Sequence, residues 1–99
     1  MLFMIVAKHT VENCPGGLTR PDKQFFAKVD ESMKKSGVKL LEGYIDAPGH
    51  VFCFIVEAID NASLNNAVEQ LRLVGKVRIY PVMKFSDAVA WTKKMGIQE

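Results

Sequence analysis

The chain has 99 residues, of which 48% are hydrophobic and 24% are charged, and its formal net charge at pH 7 is +2. These values are typical of one soluble globular domain, and the small charge argues against nucleic acid or a membrane surface as a partner. Two cysteines without a recognisable export signal predict a cytoplasmic protein with free thiols.

The first third of the chain predicts a strand, a loop and a helix. Residues 2–9 (LFMIVAKH) are apolar through most of their length, as in the central strand of a sheet. Residues 10–21 are rich in Pro, Gly, Asn and Thr, which predicts a long loop. Residues 22–36 carry an apolar stripe at helical spacing, with Asp22 suited to begin the helix and Gly37 to end it.

Residues 38–57 (VKLLEGYIDAPGHVFCFIVE) predict a β-hairpin that turns at residues 47–50. Pro48 presets the φ needed early in the turn, and Gly49 is expected to take the positive φ that follows. The register then pairs Ile45 with Phe52, Tyr44 with Cys53, Gly43 with Phe54 and Glu42 with Ile55. One face is wholly apolar, with Leu41, Ile45, Phe52, Phe54 and Val56. The other mixes polar groups into an apolar surface, with Leu40, Glu42, Tyr44, Cys53, Ile55 and Glu57.

The last third predicts a helix over residues 59–73, a strand over 76–85 and a short helix over 86–95. Asp60 or Asn61 is the expected cap of the first helix, and Gly75 its expected end. Pro81 cannot donate a hydrogen bond to a sheet, so its strand should lie at an edge or contain a bulge. Ser86 is the expected cap of the last helix.

The resulting order, β-α-β-β-α-β with a C-terminal helix, predicts an α+β, ferredoxin-like fold. Right-handed crossovers give an antiparallel sheet of order 4-1-3-2 with both main helices on one face. The second face would carry Met4, Val6, Tyr44, Cys53, Ile55 and Tyr80. This surface is too apolar to remain in water, which predicts a homodimer that packs sheet against sheet and closes an eight-stranded barrel.

The segments GVKLLE (residues 37–42), VEAID (56–60) and PVM (81–83) resemble the GVKLLG, VEADD and PV segments of a bacterial and archaeal family known only as a domain of unknown function. That family is part of the dimeric α+β-barrel superfamily. The resemblance implies the dimeric barrel fold but no activity. A weaker resemblance to muconolactone isomerase, which also begins with a Met-Leu-Phe strand, extends to the fold and not to active-site residues.

Both histidines of the chain fall at one end of the predicted sheet. His9 ends the first strand and His50 closes the hairpin turn, with Asp46 and Lys76 at the same end and Cys14 on the adjoining loop. Two imidazoles with a thiolate or a carboxylate, from Cys14 or from Glu12 on the same loop, could bind zinc, copper or iron, although this spacing matches no known ligand signature. The alternative is that no cofactor binds, the histidines are half-exposed polar residues and Cys14 is an ordinary loop thiol.

A second candidate site lies on the barrel face. Glu42, Tyr44 and Arg78 are candidate catalytic residues, with Glu42 as a base and Tyr44 as an orienting donor. Lys8, Tyr80 and Glu57 are candidate ligand-binding residues for a small molecule. Alternatively, Glu42 pairs with Arg78, and Glu57 with Lys8, only to neutralise charge at the dimer seam. Cys53 is expected to be a buried, inert thiol.

Two functions therefore stay open, and the sequence does not settle whether the protein is an enzyme. The favoured one is a small dimeric protein that binds a ligand or a metal ion near His9 and His50. The other is a cofactor-free enzyme, of isomerase or monooxygenase type, that acts on a small organic molecule in the barrel.

Overall fold

The computed structural model describes residues 1–11, 14 and 24–96. Its elements, in chain order, are β1 (Leu2–His9), α1 (Phe25–Lys35), β2 (Lys39–Asp46), β3 (Val51–Glu57), α2 (Asn61–Ala67), α3 (Glu69–Arg72), β4 (Gly75–Val82) and α4 (Phe85–Lys94). The four strands form one antiparallel sheet of order β2-β3-β1-β4, which confirms the predicted ferredoxin-like α+β arrangement. The predicted cap Asp22, the candidate ligand Glu12 and most of the 10–21 loop lie outside the described residues. None of the described helices has the length and apolar run needed to cross a membrane.

The hairpin has the predicted register near its turn and a bulge further away. Ile45 pairs with Phe52, Tyr44 with Cys53, Gly43 with Phe54 and Glu42 with Ile55, as expected. Beyond Glu42 the register shifts, so that Leu40 pairs with Val56 and Leu41 is the extra residue. Leu40 therefore shares the face of Val56, and its sequence-based assignment to the face of Ile55 is wrong. A bulge of this kind inserts one residue and reverses the alternation of side chains beyond it.

The core lies between the sheet and helices α1, α2 and α3. Alternate residues of the central strands point into it, which is the period-two pattern of a half-covered sheet. Its buried members on the strands are Phe3, Ile5, Ala7, Phe52, Phe54 and Val56. Those from the helices and their flanks are Phe25, Val29, Met33, Val38, Ala58, Leu64, Ala67, Val68 and Leu71. The core thus accounts for every strand residue that alternation places on the helix side of β1 and β3, apart from His9, which is also buried.

The opposite face of the sheet is bare in the described chain, and this is termed the open face. Its central residues, Met4, Val6, Cys53 and Ile55, are half-buried, while Tyr44 is 60% exposed and Tyr80 is 40% exposed. The residues predicted for this face, Met4, Val6, Tyr44, Cys53, Ile55 and Tyr80, occupy it by pairing and alternation. Cys53 is half-buried there and not fully buried, contrary to expectation, and both it and Cys14 are free thiols.

The predicted end of α1 and one of the two predicted caps of α2 are confirmed. The N–H groups of Gly37 and Val38 donate to the carbonyls of Lys34 and Met33, and Gly37 has φ +74°, so α1 ends in the glycine motif that was predicted. Asp60 caps α2 and accepts a 2.8 Å hydrogen bond from the Ser63 N–H, as one of the two predicted caps.

Three other sequence-based assignments are wrong. The single helix predicted over residues 59–73 is interrupted at Val68, where ψ is 9°, and forms α2 and α3. Gly75 does not end the helix but begins β4, opposite His9. The residue before α4 is Lys84, which makes no side-chain cap, so Ser86 lies inside the first turn. Pro81 is on β4, an edge strand, as its missing N–H requires.

Helix α4 stands apart from the rest of the fold. It has no buried residue and packs extensively against no other helix or strand of the described chain. The radius of gyration is 15.9 Å, whereas a compact chain of this length has about 12.6 Å.

Candidate metal centre

The candidate site begins with His9, the last residue of β1. Strand alternation directs its side chain to the helix side of the sheet, where it is 6% exposed. Its ring stacks on that of Phe52, with a centroid separation of 4.7 Å and an interplanar angle of 26°. Its backbone N–H donates a 3.0 Å hydrogen bond to the carbonyl of His50. The imidazole is thus fixed by a central strand, an aromatic ring and the hairpin turn.

His50 closes the turn between β2 and β3. Its N–H donates to the Ala47 carbonyl at 3.3 Å, and the Gly49 N–H donates to Asp46 Oδ1 at 2.9 Å. Contrary to expectation, the positive φ of this turn falls on His50, at +55°, and not on Gly49. A Cβ on Gly49 would overlap the Asp46 carboxylate in its present position, so another residue there would require the Asp46 side chain to move. The left-handed backbone is unfavourable for a residue with a side chain, and such strain is concentrated at functional sites.

The two imidazoles are in direct contact. Nδ1 of His50 lies 3.2 Å from Nε2 of His9, and the rings meet edge to face with centroids 5.0 Å apart. Cys14 joins them from the loop, where its N–H donates to the carbonyl of Val11 at 3.3 Å. One ligand atom from each of His9, Cys14 and His50 lies within 4.8 Å of the other two. The structure therefore brings together the three residues that the sequence singled out as possible metal ligands.

Electrostatics keep the buried imidazole neutral. Burial lowers the pKa of His9 below its ordinary value of 6.5, and the nearby His50 lowers it further. Removal from water disfavours the charged form of a base. A neutral imidazole is the form that binds a metal ion, so His9 need not lose a proton at pH 7 to do so.

One ring nitrogen of His9 has a partner and the other has none. Nε2 lies 3.2 Å from Nδ1 of His50, and the tautomers of the two rings decide which of these nitrogens donates. Nδ1 of His9 is buried without a hydrogen-bond partner among the described residues. A neutral His9 that bound a metal ion through Nε2 would carry its proton on Nδ1, which has no acceptor in the described part of the chain. Burying an unpaired N–H costs free energy, which would limit the affinity of the site.

The candidate catalytic residues are only partly brought together. The Tyr44 hydroxyl donates a 2.6 Å hydrogen bond to Glu42 Oε2, on the exposed edge strand β2. This bond and the charge of Glu42 raise the pKa of Tyr44. Arg78 lies on β4, the opposite edge of the sheet. Three strand spacings, about 14 Å, separate those edges, so one chain does not combine all three residues.

The candidate ligand-binding residues are also dispersed. Lys8 pairs with Val51 and Glu57 with Leu2, at opposite ends of the sheet, so they form no ion pair within one chain. Tyr80 pairs with Met4 in the middle of the open face. Glu57 instead lines a shallow groove of about 360 Å³ with Met1, Gly37, Lys39, Ala58 and Ile59. The predicted role of these residues stays a prediction.

Two residues that support the site were not identified from the sequence. Phe52 was assigned only to the core, although it also stacks on His9. Gly75 was read as a helix end, although it lies opposite His9, and a Cβ on it would lie 2.6 Å from the His9 Cα. Extending the antiparallel pairing of β4 with β1 by one residue would have placed Gly75 there.

Comparison with known proteins identifies one family. The model of a family described as a domain of unknown function (DUF3303) matches residues 1–96. No curated protein matches the chain.

Proposed function

This chain belongs to the DUF3303 family, and we propose that it binds a transition-metal ion, zinc in the first place, through His9, Cys14 and His50. The observation that supports this most directly is the approach of three ligand atoms to within 4.8 Å of one another. They come from a strand end, a turn and a loop that are separated along the chain.

The distances between the ligand atoms are close to the distances between the ligands of a bound zinc ion. Zinc bonds of about 2.0–2.1 Å to nitrogen and 2.3 Å to sulfur, in a tetrahedron, hold two nitrogens about 3.3 Å apart and a nitrogen and sulfur about 3.5 Å apart. The two imidazole nitrogens of His9 and His50 are already 3.2 Å apart. The 4.8 Å limit on the separations of the three ligand atoms exceeds the nitrogen–sulfur separation around a bound zinc by little more than 1 Å, so a small movement would bring Cys14 within bonding distance.

The donor set favours zinc or copper. Thiolate is a soft ligand and imidazole suits zinc, copper and iron, whereas magnesium and calcium prefer oxygen. Three protein ligands leave the fourth tetrahedral position open to water or a small ligand, as in catalytic zinc sites. The proposal therefore includes a small-molecule ligand, held by the metal at the end of the sheet.

Elemental analysis of protein purified without chelator, before and after addition of zinc, copper or iron, tests the proposal. We expect about one ion per chain, and a thiolate-to-metal absorption band on substitution with cobalt. Cys14→Ser should abolish this band. Cys53→Ser is the matched control, since it removes the only other thiol of the chain and should leave the band intact.

Chelation gives a second readout that does not depend on activity. An ion that binds only the folded chain stabilises it, so EDTA should lower the unfolding temperature of the native protein and leave that of folded Cys14→Ser unchanged. A folded protein that takes up none of the three ions, or equal losses in the two cysteine variants, would refute the site.

We also propose that the protein is a homodimer joined through the open face. This proposal is supported by the exposed tyrosines and the row of apolar side chains on that face, since large apolar patches mark interaction sites. A mass in solution of about 22 kDa, twice the 11.1 kDa of one chain, is expected. Tyr44→Lys should lower it towards one chain.

A further inference from the structure

We propose that two copies of this chain pack open face to open face about a two-fold axis parallel to the strands, so that acidic residues of β2 in each copy meet basic residues of β4 in its partner. The arrangement rests on the open-face homodimer proposed above. It adds the direction of the axis and the charged residues that pair across it.

The strand pairings align the open face in rows that run across the sheet from β2 to β4. The first row begins at Asp46 and continues through Val51 and Lys8 to Lys76, because each of these residues pairs with the next. The same pairings give the residues of the two edge strands that share a row: Asp46 with Lys76, Tyr44 with Arg78, and Glu42 with Tyr80. The two edges of the face are therefore aligned residue by residue.

Opposite charges lie at opposite ends of these rows. β2 carries Glu42 and Asp46, termed the acidic edge, and β4 carries Lys76 and Arg78, termed the basic edge. All four residues are exposed. Three strand spacings, about 14 Å, keep the two edges apart within one chain. A single open face is thus negative along one side and positive along the other, in the rows nearest His9.

The acidic edge keeps its charge. Asp46 accepts a hydrogen bond from the Gly49 N–H at 2.9 Å, and Glu42 accepts one from the Tyr44 hydroxyl at 2.6 Å. Both donors are neutral, so neither bond cancels the charge of the carboxylate. Each carboxylate also has a second oxygen that can accept a further hydrogen bond. The acidic edge can therefore still bind a cationic side chain.

The basic edge also keeps its charge. The ion pairs formed between described residues lie within α1 and involve neither Lys76 nor Arg78. Lys76 instead lies directly opposite Lys8 on the neighbouring strand, and like charges at paired positions of a sheet are destabilising. An acidic side chain from a second copy would relieve this repulsion.

A two-fold axis parallel to the strands brings the two edges together. It keeps every residue at its position along the strand and exchanges the edges, so β2 of each copy lies on β4 of its partner. Asp46 then faces the partner's Lys76, and Arg78 faces the partner's Tyr44. Because the Tyr44 hydroxyl donates to Glu42 within each chain, the guanidinium meets an aromatic ring and a carboxylate together. Symmetry forms each contact twice.

An axis across the strands fits the charges poorly. It lays each strand on its own copy with the ends exchanged, so Asp46 would reach the partner's Lys39. However, Glu42 would lie near the partner's Glu42, and Arg78 near the partner's Arg78, since both residues stand close to the middle of their strands. Like charges brought together across an interface oppose association. The charge pattern therefore favours the axis parallel to the strands.

Reversal of one charged pair tests the arrangement in the full-length dimer, with the dissociation constant measured by analytical ultracentrifugation. Glu42→Arg and Arg78→Glu should each raise this constant about tenfold, because each replaces two attractive contacts with repulsive ones. The double variant, with both substitutions in one chain, should return to within about threefold of the native value. High salt should reduce the effects of the single variants, since it screens exposed charges.

Glu69→Arg is the matched control for Glu42→Arg. It makes the same exchange at an exposed residue of α3, a helix that packs on the other side of the sheet through the buried Leu71. The change in net charge is the same, but the residue is remote from the open face. The dissociation constant of this variant should equal that of the native protein.

The possible results separate this arrangement from the dimer on which it rests. A native protein with the mass of one chain would refute the open-face dimer and the arrangement with it. A dimer that Tyr44→Lys dissociates, but that both single charge reversals leave intact, would overturn the arrangement and retain the open-face dimer. Losses in both single variants without recovery in the double variant would also overturn it. Metal binding is measured separately and affects none of these results.

Discussion

The imidazoles of His9 and His50 lie 3.2 Å apart although 41 positions separate them in the sequence. The contact is specified by the sheet, because antiparallel pairing of β1 with β3 carries the end of β1 to the turn that precedes β3. The same pairing gives the His9 N–H a bond to the His50 carbonyl. Backbone and side chains therefore hold the two residues together independently, and either can be perturbed alone.

Replacement of His9 by phenylalanine should stabilise the fold while abolishing metal binding. His9→Phe keeps the stacking on Phe52 and removes a buried nitrogen that has no partner in the described chain. We expect the free energy of unfolding at pH 7 to rise by about 1 kcal/mol, measured by urea denaturation of metal-free protein. A loss of stability would show that the His9–His50 hydrogen bond outweighs the unpaired nitrogen.

The same variant should alter the dependence of stability on pH. Because the pKa of His9 is lowered in the folded chain, the unfolded chain binds a proton there more readily. The contribution of His9 to the free energy of unfolding is complete above 6.5, the pKa of His9 in the unfolded chain. It is lost as the pH falls below 6.5 towards the lower pKa of His9 in the folded chain. The native protein should therefore lose stability between pH 7 and pH 5 more steeply than His9→Phe. Parallel curves would contradict the assigned shift.

The backbone strain at His50 can be separated from its side chain. His50→Gly and His50→Ala both remove the imidazole, but only alanine keeps a Cβ at φ +55°. We expect the glycine variant to be more stable than the alanine variant by about 1 kcal/mol, because glycine adopts a positive φ without a steric clash. This is the reverse of the usual order, since glycine ordinarily loses more conformational entropy on folding than alanine does. Equal stabilities in thermal denaturation would mean that the turn relaxes, and both variants should lose the metal.

Gly75 should tolerate no side chain. In Gly75→Ala the new Cβ would clash with the Lys8 carbonyl and crowd the His9 backbone. We expect a loss of about 1–3 kcal/mol and a displaced His9 ring, visible as altered imidazole resonances in NMR. Gly37→Ala is a useful comparison, since it places a Cβ in open space and adds only the cost of a positive φ. A larger effect at Gly37 than at Gly75 would be inconsistent with the close approach.

The titration of Tyr44 should depend on Glu42. The hydrogen bond from the Tyr44 hydroxyl and the negative charge of Glu42 raise the pKa of Tyr44. In a Tyr80→Phe background Tyr44 is the only tyrosine left, so ultraviolet absorbance follows it alone. Glu42→Gln should lower its pKa towards the ordinary value of 10.0. An unchanged titration curve would show that the pair separates in solution.

Sequence patterns predicted the sheet well because its determinants are local and repetitive. Alternation in β1 and β3 gave the two faces, and the turn fixed the register that Ile45 and Phe52 share. The bulge after Glu42 was missed, because Leu40 and Leu41 are equally apolar and nothing in their composition distinguishes the face of each. The break at Val68 was also missed, because it lies within a continuous helical sequence pattern.

The candidate site was predictable in its members and not in its geometry. Topology alone gathered His9 and His50 at one end of the sheet. The positive φ lies at His50 and not at Gly49, and the Gly49 N–H donates to Asp46 Oδ1, a contact that the sequence pattern of the turn did not indicate. The burial of His9 and the missing partner of its Nδ1 depend on the packing of Phe52, which pattern reasoning assigned only to the core.

The bulge in β2 has a consequence for how copies of this protein can associate. β2 and β4 are the two edges of the sheet, where unpaired backbone groups invite a further strand. The bulge at Leu41 interrupts the regular spacing of these groups on β2, and Pro81 removes an N–H from β4. Both edges are thus poor templates for another strand. Open-ended growth of the sheet from molecule to molecule, the route to fibres, is thereby discouraged at each end.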